Sequence, residues 1–510
     1  MLTKIWSAAN YGLKAVEVEI EVNVPDKGFP AFTIVGLASK SSEEAKERVK
    51  TAIINSDFEF PVAKITINLA PADLPKDGSV FDLPLAIGIL ASHFDVVLPK
   101  EKSYFFGELG LDGTLRHTKG VFLLAILAKE NNVKNIFVPR ECANEAAVIE
   151  GINVFPVKNL REIINHLNDV KMIIPLKTIA VDDEEISGPE FDFAEILGQE
   201  FAKRALEIAA AGGHNVFMVG PPGSGKTMLS RAIPGILPQL AEGESLEVTK
   251  IYSITGNIPA GGSLIRQRPF RSPHHSTSQV GLIGGGSIPR PGEISMAHRG
   301  VLFLDEFPEF GRGSLEALRQ PLEDGFITVS RASGSVVFPA QIMLIAASNP
   351  CPCGFLGDSK KECKCNFHQI SNYQKKLSGP VMDRIDIHLT VPAVDVNKLM
   401  IDKDKYTGEK SAIIRDRVIK AREIQKNRFK DLKRIHDNAD MKNRHLKEFA
   451  KLTDSANLLL KQAVNKFNLS ARTYFRLIKV SRTIADLDSS ENINDTHIAE
   501  ALQFRVRTEE

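Results

Sequence analysis

Apolar residues recur at every second position early in the chain. Val16, Val18, Ile20, Val22 and Val24 alternate with polar neighbours until Pro25 ends the run, which predicts a half-buried strand. Ser41, Ser42, Glu43 and Glu44 have capping-box spacing and predict a helix through Arg48, Val49 and Ile53. Ile65, Ile67 and Leu69 alternate again, and Leu83–Leu90 has the apolar character of a buried helix. Beyond residue 200 the pattern changes. Ala202–Ala211 predicts a helix, whereas Asn215–Val219, Val301–Leu304 and Ile342–Asn349 are short, nearly unbroken apolar runs. Such runs suit strands covered on both faces of a parallel sheet. Gly325–Pro339 predicts a hairpin with Arg331 near its turn, and residues 400–510 read as helical throughout.

A length of 510 residues suggests about three domains. Residues 181–192, acidic and broken by Gly188 and Pro189, read as a linker. A net charge of +1 provides no global attraction to nucleic acid or membrane, so any such binding must use local patches. The N-terminal residues lack an apolar core of signal-peptide length, and no run of about 18 apolar residues occurs. A cytoplasmic protein that crosses no membrane is the expectation.

The strongest chemical signal is Gly220, Pro221, Pro222, Gly223, Ser224, Gly225, Lys226 and Thr227, which fit G-x-x-x-x-G-K-[ST] between a predicted strand and a predicted helix at Met228–Ile233. Glycines let the backbone wrap a polyphosphate without Cβ clashes. Lys226 would reach the β- and γ-phosphates and Thr227 would ligate Mg²⁺. About 80 residues on, the run Val301–Leu304 ends in Asp305 and Glu306, and ligands bind at the C-terminal ends of parallel strands. Asp305 would hold Mg²⁺ through water, and Glu306 would activate the attacking water. This reading predicts a nucleoside triphosphate site.

A family resemblance covers the whole chain. Phe32–Leu37, Asn68–Pro75, Phe81–Ala86 and Gly107–Gly113 resemble the N-terminal domain of the ComM/YifB proteins, bacterial magnesium-chelatase-like AAA+ ATPases. The resemblance implies an α/β fold: a Lon-protease-like N-terminal domain at 1–180, a P-loop AAA+ parallel-sheet core at 193–395 and a helical lid at 396–510. Where Lon-type proteases carry serine and lysine, the alignment places Phe81 and Phe122, which can neither attack a peptide nor take a proton. Phe193–Gln199 resembles the segment bordering the adenine. Asn349 matches sensor 1. Asp383-Arg384-Ile-Asp386 resembles the arginine-finger segment, in which Arg384 would reach a neighbouring subunit's γ-phosphate; a surface pair with Asp383 or Asp386 is the plainer alternative. Leu469–Arg476 resembles the sensor-2 helix, with Arg472 preferred over Arg476. The resemblance further implies ATP, a homo-hexameric ring and a helicase acting on single-stranded or branched DNA, promoting branch migration in recombination or natural transformation. A protein-remodelling chaperone and a metal-chelatase ATPase subunit are the competing classes.

Other stretches carry weaker signals. Arg266, Arg268 and Arg271 around Phe270, followed by His274, His275 and glycines 284–286, offer phosphate donors and a stacking ring. In the family this insertion and the hairpin project toward the central pore, and the adjacent histidines read as hydrogen-bonding groups. Residues 401–450 hold fifteen Lys/Arg against nine Asp/Glu, either a solvated helical face or a nucleic-acid contact. Cys351, Cys353, Cys363 and Cys365, with His368 three residues on, form two Cys-x-Cys pairs across a turn-rich loop. They read either as a structural Zn²⁺ site or as reduced or redox-sensitive thiols.

Overall fold

The structure is a computed structural model. It describes residues 2–25, 29–37, 39–72, 76, 79–177, 190–259, 264–286, 289–331, 334–358, 361–376, 381–393, 408–432 and 435–505. The expected linker at 181–192 lies outside them except for its last three residues.

The alternating residues of the first region form a seven-stranded mixed sheet. In spatial order it contains Ala31–Val35, Lys64–Ala70, Lys14–Asn23, Leu2–Tyr11, Ser103–Phe105, Asn135–Pro139 and Asn153–Val157. Leu2–Tyr11 and Lys14–Asn23 pair antiparallel, whereas the last three strands continue parallel. Val18, Ile20 and Val22 face a core shared with the helices Ser39–Asn55 and Asp82–His93. The helix Val121–Glu130 covers the opposite face. Phe81 and Phe122 are buried in these two cores. One boundary differs from expectation. The first helix begins at Ser39, so Ser41–Glu44 lies inside it instead of capping it; helix ends resolve only to a residue or two from local pattern.

The second sheet is wholly parallel, in the order Phe270–Arg271, Val301–Leu304, Met343–Ser348, Val216–Val219, Ile387–Thr390. Its apolar runs are explained by cover on both faces. Val216, Met218, Phe303 and Ile345 join the helix Glu200–Gly212 and the C-terminal helices in one core. Phe217, Leu302, Leu304 and Leu344 meet Phe307 and the hairpin Phe326–Arg331/Gly334–Pro339 in the other. The C-terminal region supplies helices Ser411–Arg428, Asn443–Phe449, Asp454–Lys466, Ala471–Leu487 and Asp495–Gln503. Here Arg417 pairs with Glu207 and Glu409, Arg422 with Asp437 and Arg428 with Asp486. Part of the basic excess is therefore spent inside the fold.

The two sheets are tied together. Ser253 Oγ donates to Glu145 Oε2 (3.1 Å) and Gly120 N donates to Ser253 O (3.0 Å). The turn at Tyr11 and Gly12 lies against Gly334 and Val336 of the hairpin. Burial raises the Glu145 carboxyl to about 7, partly opposed by the Ser253 hydroxyl.

The insertion corrects one expectation. Phe270 and Arg271 form an edge strand of the central sheet, and the Phe270 ring packs on Phe303 with centroids 6.1 Å apart. Arg271 is held by Glu293 at 2.7 and 2.8 Å. Arg268 donates to Glu244 at 2.9 Å and is buried deeply enough to lower its pKa to about 10. These three residues are committed to the fold, not offered to phosphate or base.

Candidate active site

The strand Val216–Val219 delivers the chain to Gly220, whose backbone passes so close to the next strand that a Cβ would lie 2.1 Å from Val391 O. Gly223 and Gly225, at φ 77° and 91°, take left-handed turns that favour glycine. Lys226 then opens the helix Lys226–Ala232. Its ammonium donates to Gly220 O (2.7 Å) and Pro221 O (2.9 Å), with Ser224 Oγ and Asn349 Oδ1 each at 3.4 Å. Burial lowers its pKa, with Asp305 opposing the shift. Gln199 closes the floor of the loop by donating to Ser224 O (3.3 Å) and Pro392 O (2.7 Å).

Thr227 Oγ1 donates to Asp305 Oδ2 at 2.9 Å, and the other Asp305 oxygen accepts from Glu306 N at 2.9 Å. The hydroxyl and carboxylate oxygens are hard donors of the kind that Mg²⁺ takes, directly or through water. Glu306 stands at φ 50°, a conformation costing a non-glycine residue about 1–2 kcal/mol. This turn points its carboxylate at His275, whose Nδ1 lies 3.0 Å away. His274 lies against His275 with the rings tilted (centroids 4.0 Å) and meets Ser276 Oγ at 2.8 Å. His274 is a hydrogen-bonding group, and His275 faces the Glu306 carboxylate, a partnership that was not visible in the sequence.

Lys226, Thr227, Asp305, Glu306 and Asn349 therefore meet at the C-terminal edge of the parallel sheet. Arg384 and Arg472 do not join them. Arg384 precedes the strand Ile387–Thr390, and its carbonyl accepts from Asn215 Nδ2 (2.9 Å) at the start of the P-loop strand. The backbone from Asn215 to Gly220 spans about 16 Å at strand rise, so Arg384 occupies the opposite edge. Its guanidinium pairs with Glu323, not with either aspartate considered from sequence. Asp383 pairs with Arg472, and Asp386 accepts His214 at 3.0 Å. Arg476, the competitor of Arg472, donates to Ile385 O (2.6 Å) and Met382 O (3.4 Å). Arg476 thus braces the segment carrying Arg384, whereas Arg472 projects from the surface with 71% of its side chain exposed.

Cys351, Cys353, Cys363 and Cys365 converge just beyond Asn349. His368 is turned away, its Nε2 bonded to Asn372 at 3.0 Å.

Comparison with known proteins agrees along the whole chain. A family model described as magnesium chelatase, subunit ChlI, matches residues 192–399. Two more, subunit ChlI of Mg-chelatase and the ChlI C-terminal region, match 18–142 and 408–505. The competence protein ComM of Haemophilus influenzae is 43% identical over 99% of this chain and 97% of its own. The uncharacterized protein YifB of Escherichia coli is 41% identical over 99% and 97%. A magnesium-chelatase subunit ChlI from Olisthodiscus luteus is 28% identical over 33% of this chain and 53% of its own. The chain belongs to the ComM/YifB family of magnesium-chelatase-like AAA+ proteins.

Proposed function

We propose that this protein is an ATP-hydrolysing, ring-forming motor that acts on DNA, a helicase promoting branch migration during recombination or natural transformation. One observation carries the motor reading: the phosphate-site residues occupy one edge of the parallel sheet and Arg384 the other. A chain built this way completes its site only when a neighbour presents its arginine edge. A closed ring, a homo-hexamer in this reading, satisfies every subunit at once. The DNA role draws on the ComM relative, whose name marks it as a competence protein. The proposed units are an N-terminal Lon-like domain at 1–180, the ATPase core at 193–395 and a lid at 396–510, acting in the cytoplasm. Among the described residues no helix is long and apolar enough to cross a membrane.

Each residue has a task. Lys226 exchanges its contacts with the loop carbonyls for the β- and γ-phosphates of ATP. Thr227 and Asp305 would hold Mg²⁺, which supplies charge to the phosphates when bound. Glu306, once released by His275, takes the proton of the attacking water, and Asn349 orients that water. Arg384, freed from Glu323, stabilises charge on the neighbour's γ-phosphate, with Arg472 supporting it from the same edge. ATP turnover measured with forked or single-stranded DNA and with unfolded protein tests the reading. Stimulation by DNA alone is expected, and stimulation by unfolded protein alone would replace it with a protein-remodelling role.

A further inference from the structure

We propose that Cys351, Cys353, Cys363 and Cys365 bind one Zn²⁺ as a closed tetrathiolate, and that this site is the splint that holds Asn349 against the phosphate-binding loop. The four sulfurs lie within 4.8 Å of one another. Cys351 Sγ is 3.4 Å from Cys353 Sγ and 3.7 Å from Cys363 Sγ, and Cys353 Sγ is 3.6 Å from Cys363 Sγ. A tetrahedron with Zn–S bonds near 2.3 Å has edges of about 3.8 Å, close to these separations. A disulfide would bring two sulfurs to about 2.05 Å, and all four cysteines are free.

The backbone is shaped for the same end. Gly354 and Gly357, at φ 84° and 75°, reverse the chain between the two pairs. Gly354 N donates to Cys351 O (2.9 Å), and Cys353 N points at Cys365 Sγ (3.4 Å). Such N–H···S bonds orient thiolate ligands from behind. Between the pairs, Phe355 and Leu356 are the only large apolar residues, and both are half-buried. So short an excursion has no core of its own and needs a staple. Four sulfurs leave no open position for substrate, so the site is structural.

Its placement says what it supports. A Cβ on Gly354 would lie 2.6 Å from Pro222 Cδ in the phosphate loop and 3.8 Å from Asn349 Cγ. The first turn of the cluster therefore rests directly on both. The second pair leads into the helix Phe367–Lys376, whose Tyr373 hydroxyl returns to Ser348 Oγ at 3.4 Å. Both ends of the excursion are thus anchored at the strand end that carries Asn349. Asn349 in turn sits 3.4 Å from the Lys226 ammonium. Loss of the metal frees the turn against Pro222 and lets Asn349 drift from Lys226.

The metal assignment is independent of the DNA reading; its effect on turnover rests on the nucleotide site described above. Elemental analysis of the full-length chain, purified under reducing conditions without a metal-affinity tag, should find close to one zinc per chain. Cys353→Ser and Cys363→Ser should lose it, and Lys364→Ala, between the second pair, should keep it. Turnover of the cysteine variants should fall by about 10- to 100-fold. Because a serine variant can misfold, wild-type chain is also stripped with a mercurial, returned to reductant and reloaded with Zn²⁺ alone. Recovery of nucleotide affinity and turnover on reloading supports the splint. A zinc-free chain with four freely alkylated thiols and normal turnover overturns the site, as does iron in zinc's place. Zinc loss that leaves nucleotide affinity and turnover unchanged overturns the splint. Failure of DNA to stimulate turnover leaves the zinc count untouched and counts only against the DNA role.

Discussion

The two sheets of this protein are both packed into apolar cores and are put to different use. In the first, one strand, Lys14–Asn23, runs against the other six, and the strand ends carry no phosphate loop or paired carboxylates. The positions that resemble a protease dyad are phenylalanines packed into its two cores. In the second, all five strands run one way, and three successive polar segments arrive at a single edge: the phosphate loop, the Asp305–Glu306 pair and Asn349. What the strand ends carry, more than strand direction or burial, separates a scaffold from a reaction centre. Substitutions should divide accordingly, with the parallel sheet losing turnover and the mixed sheet losing stability.

The largest effects test the division of the parallel sheet into two edges. Lys226→Ala should abolish nucleotide binding, and Arg384→Ala should keep binding but lose about 10³- to 10⁵-fold in turnover. Mixing the two variants should restore part of the activity, because the intact pocket of an Arg384→Ala subunit receives the arginine of a Lys226→Ala neighbour. Full activity from a sample shown to be monomeric by sedimentation would refute the two-edge site.

Glu306→Gln should bind ATP with nearly unchanged affinity while turnover falls about 10²- to 10⁴-fold, the range for loss of a general base. Fluorescent-nucleotide titration beside steady-state hydrolysis separates the two effects. Equal losses in both would show that Glu306 shapes the pocket instead of acting on water.

On the mixed sheet, Phe81→Ala should cost about 3–5 kcal/mol of stability and leave turnover per folded molecule unchanged. Denaturant melts combined with active-site titration read both quantities. A turnover defect without destabilisation would move the N-terminal sheet into the reaction.

The smallest effect lies where the sheets meet. Glu145 is held up to about 7 by burial against an ordinary value of 4.5. The folded chain therefore keeps a proton that the unfolded chain releases between those values. Its contribution to stability is largest below pH 4.5 and falls away as pH rises toward 7, leaving a penalty above that. Glu145→Gln should remove that penalty, about 1–3 kcal/mol, and flatten the thermal midpoint against pH. An unchanged profile would show that burial does not hold the Glu145 proton in the folded chain.

Much of this was legible from short stretches. The phosphate loop and the apolar runs are patterns of neighbouring residues, and their strand–loop–helix outcome follows from backbone geometry and two-sided burial. The paired cysteines could be seen as a group for the same reason, since one turn suffices to bring them together. The partners of charged residues were another matter. For Arg384 the plainer alternative to an arginine finger was a pair with Asp383 or Asp386, yet its side chain takes Glu323, 61 residues away. Phe270 and Arg271 looked free for nucleic acid, yet they become an edge strand beside Val301 and Leu302. His275 meets Glu306 because the strand Phe270–Arg271 pairs with the carboxylate strand, and Gly354 meets Pro222 because the strand Met343–Ser348 pairs with the phosphate-loop strand. The sequence by itself determined which segments become strands, loops and ligand-bearing turns, because those depend on residues in immediate succession. The tertiary structure decided which of them touch, because the order of strands in a sheet is not their order in the chain, and contacts across it depend on that order.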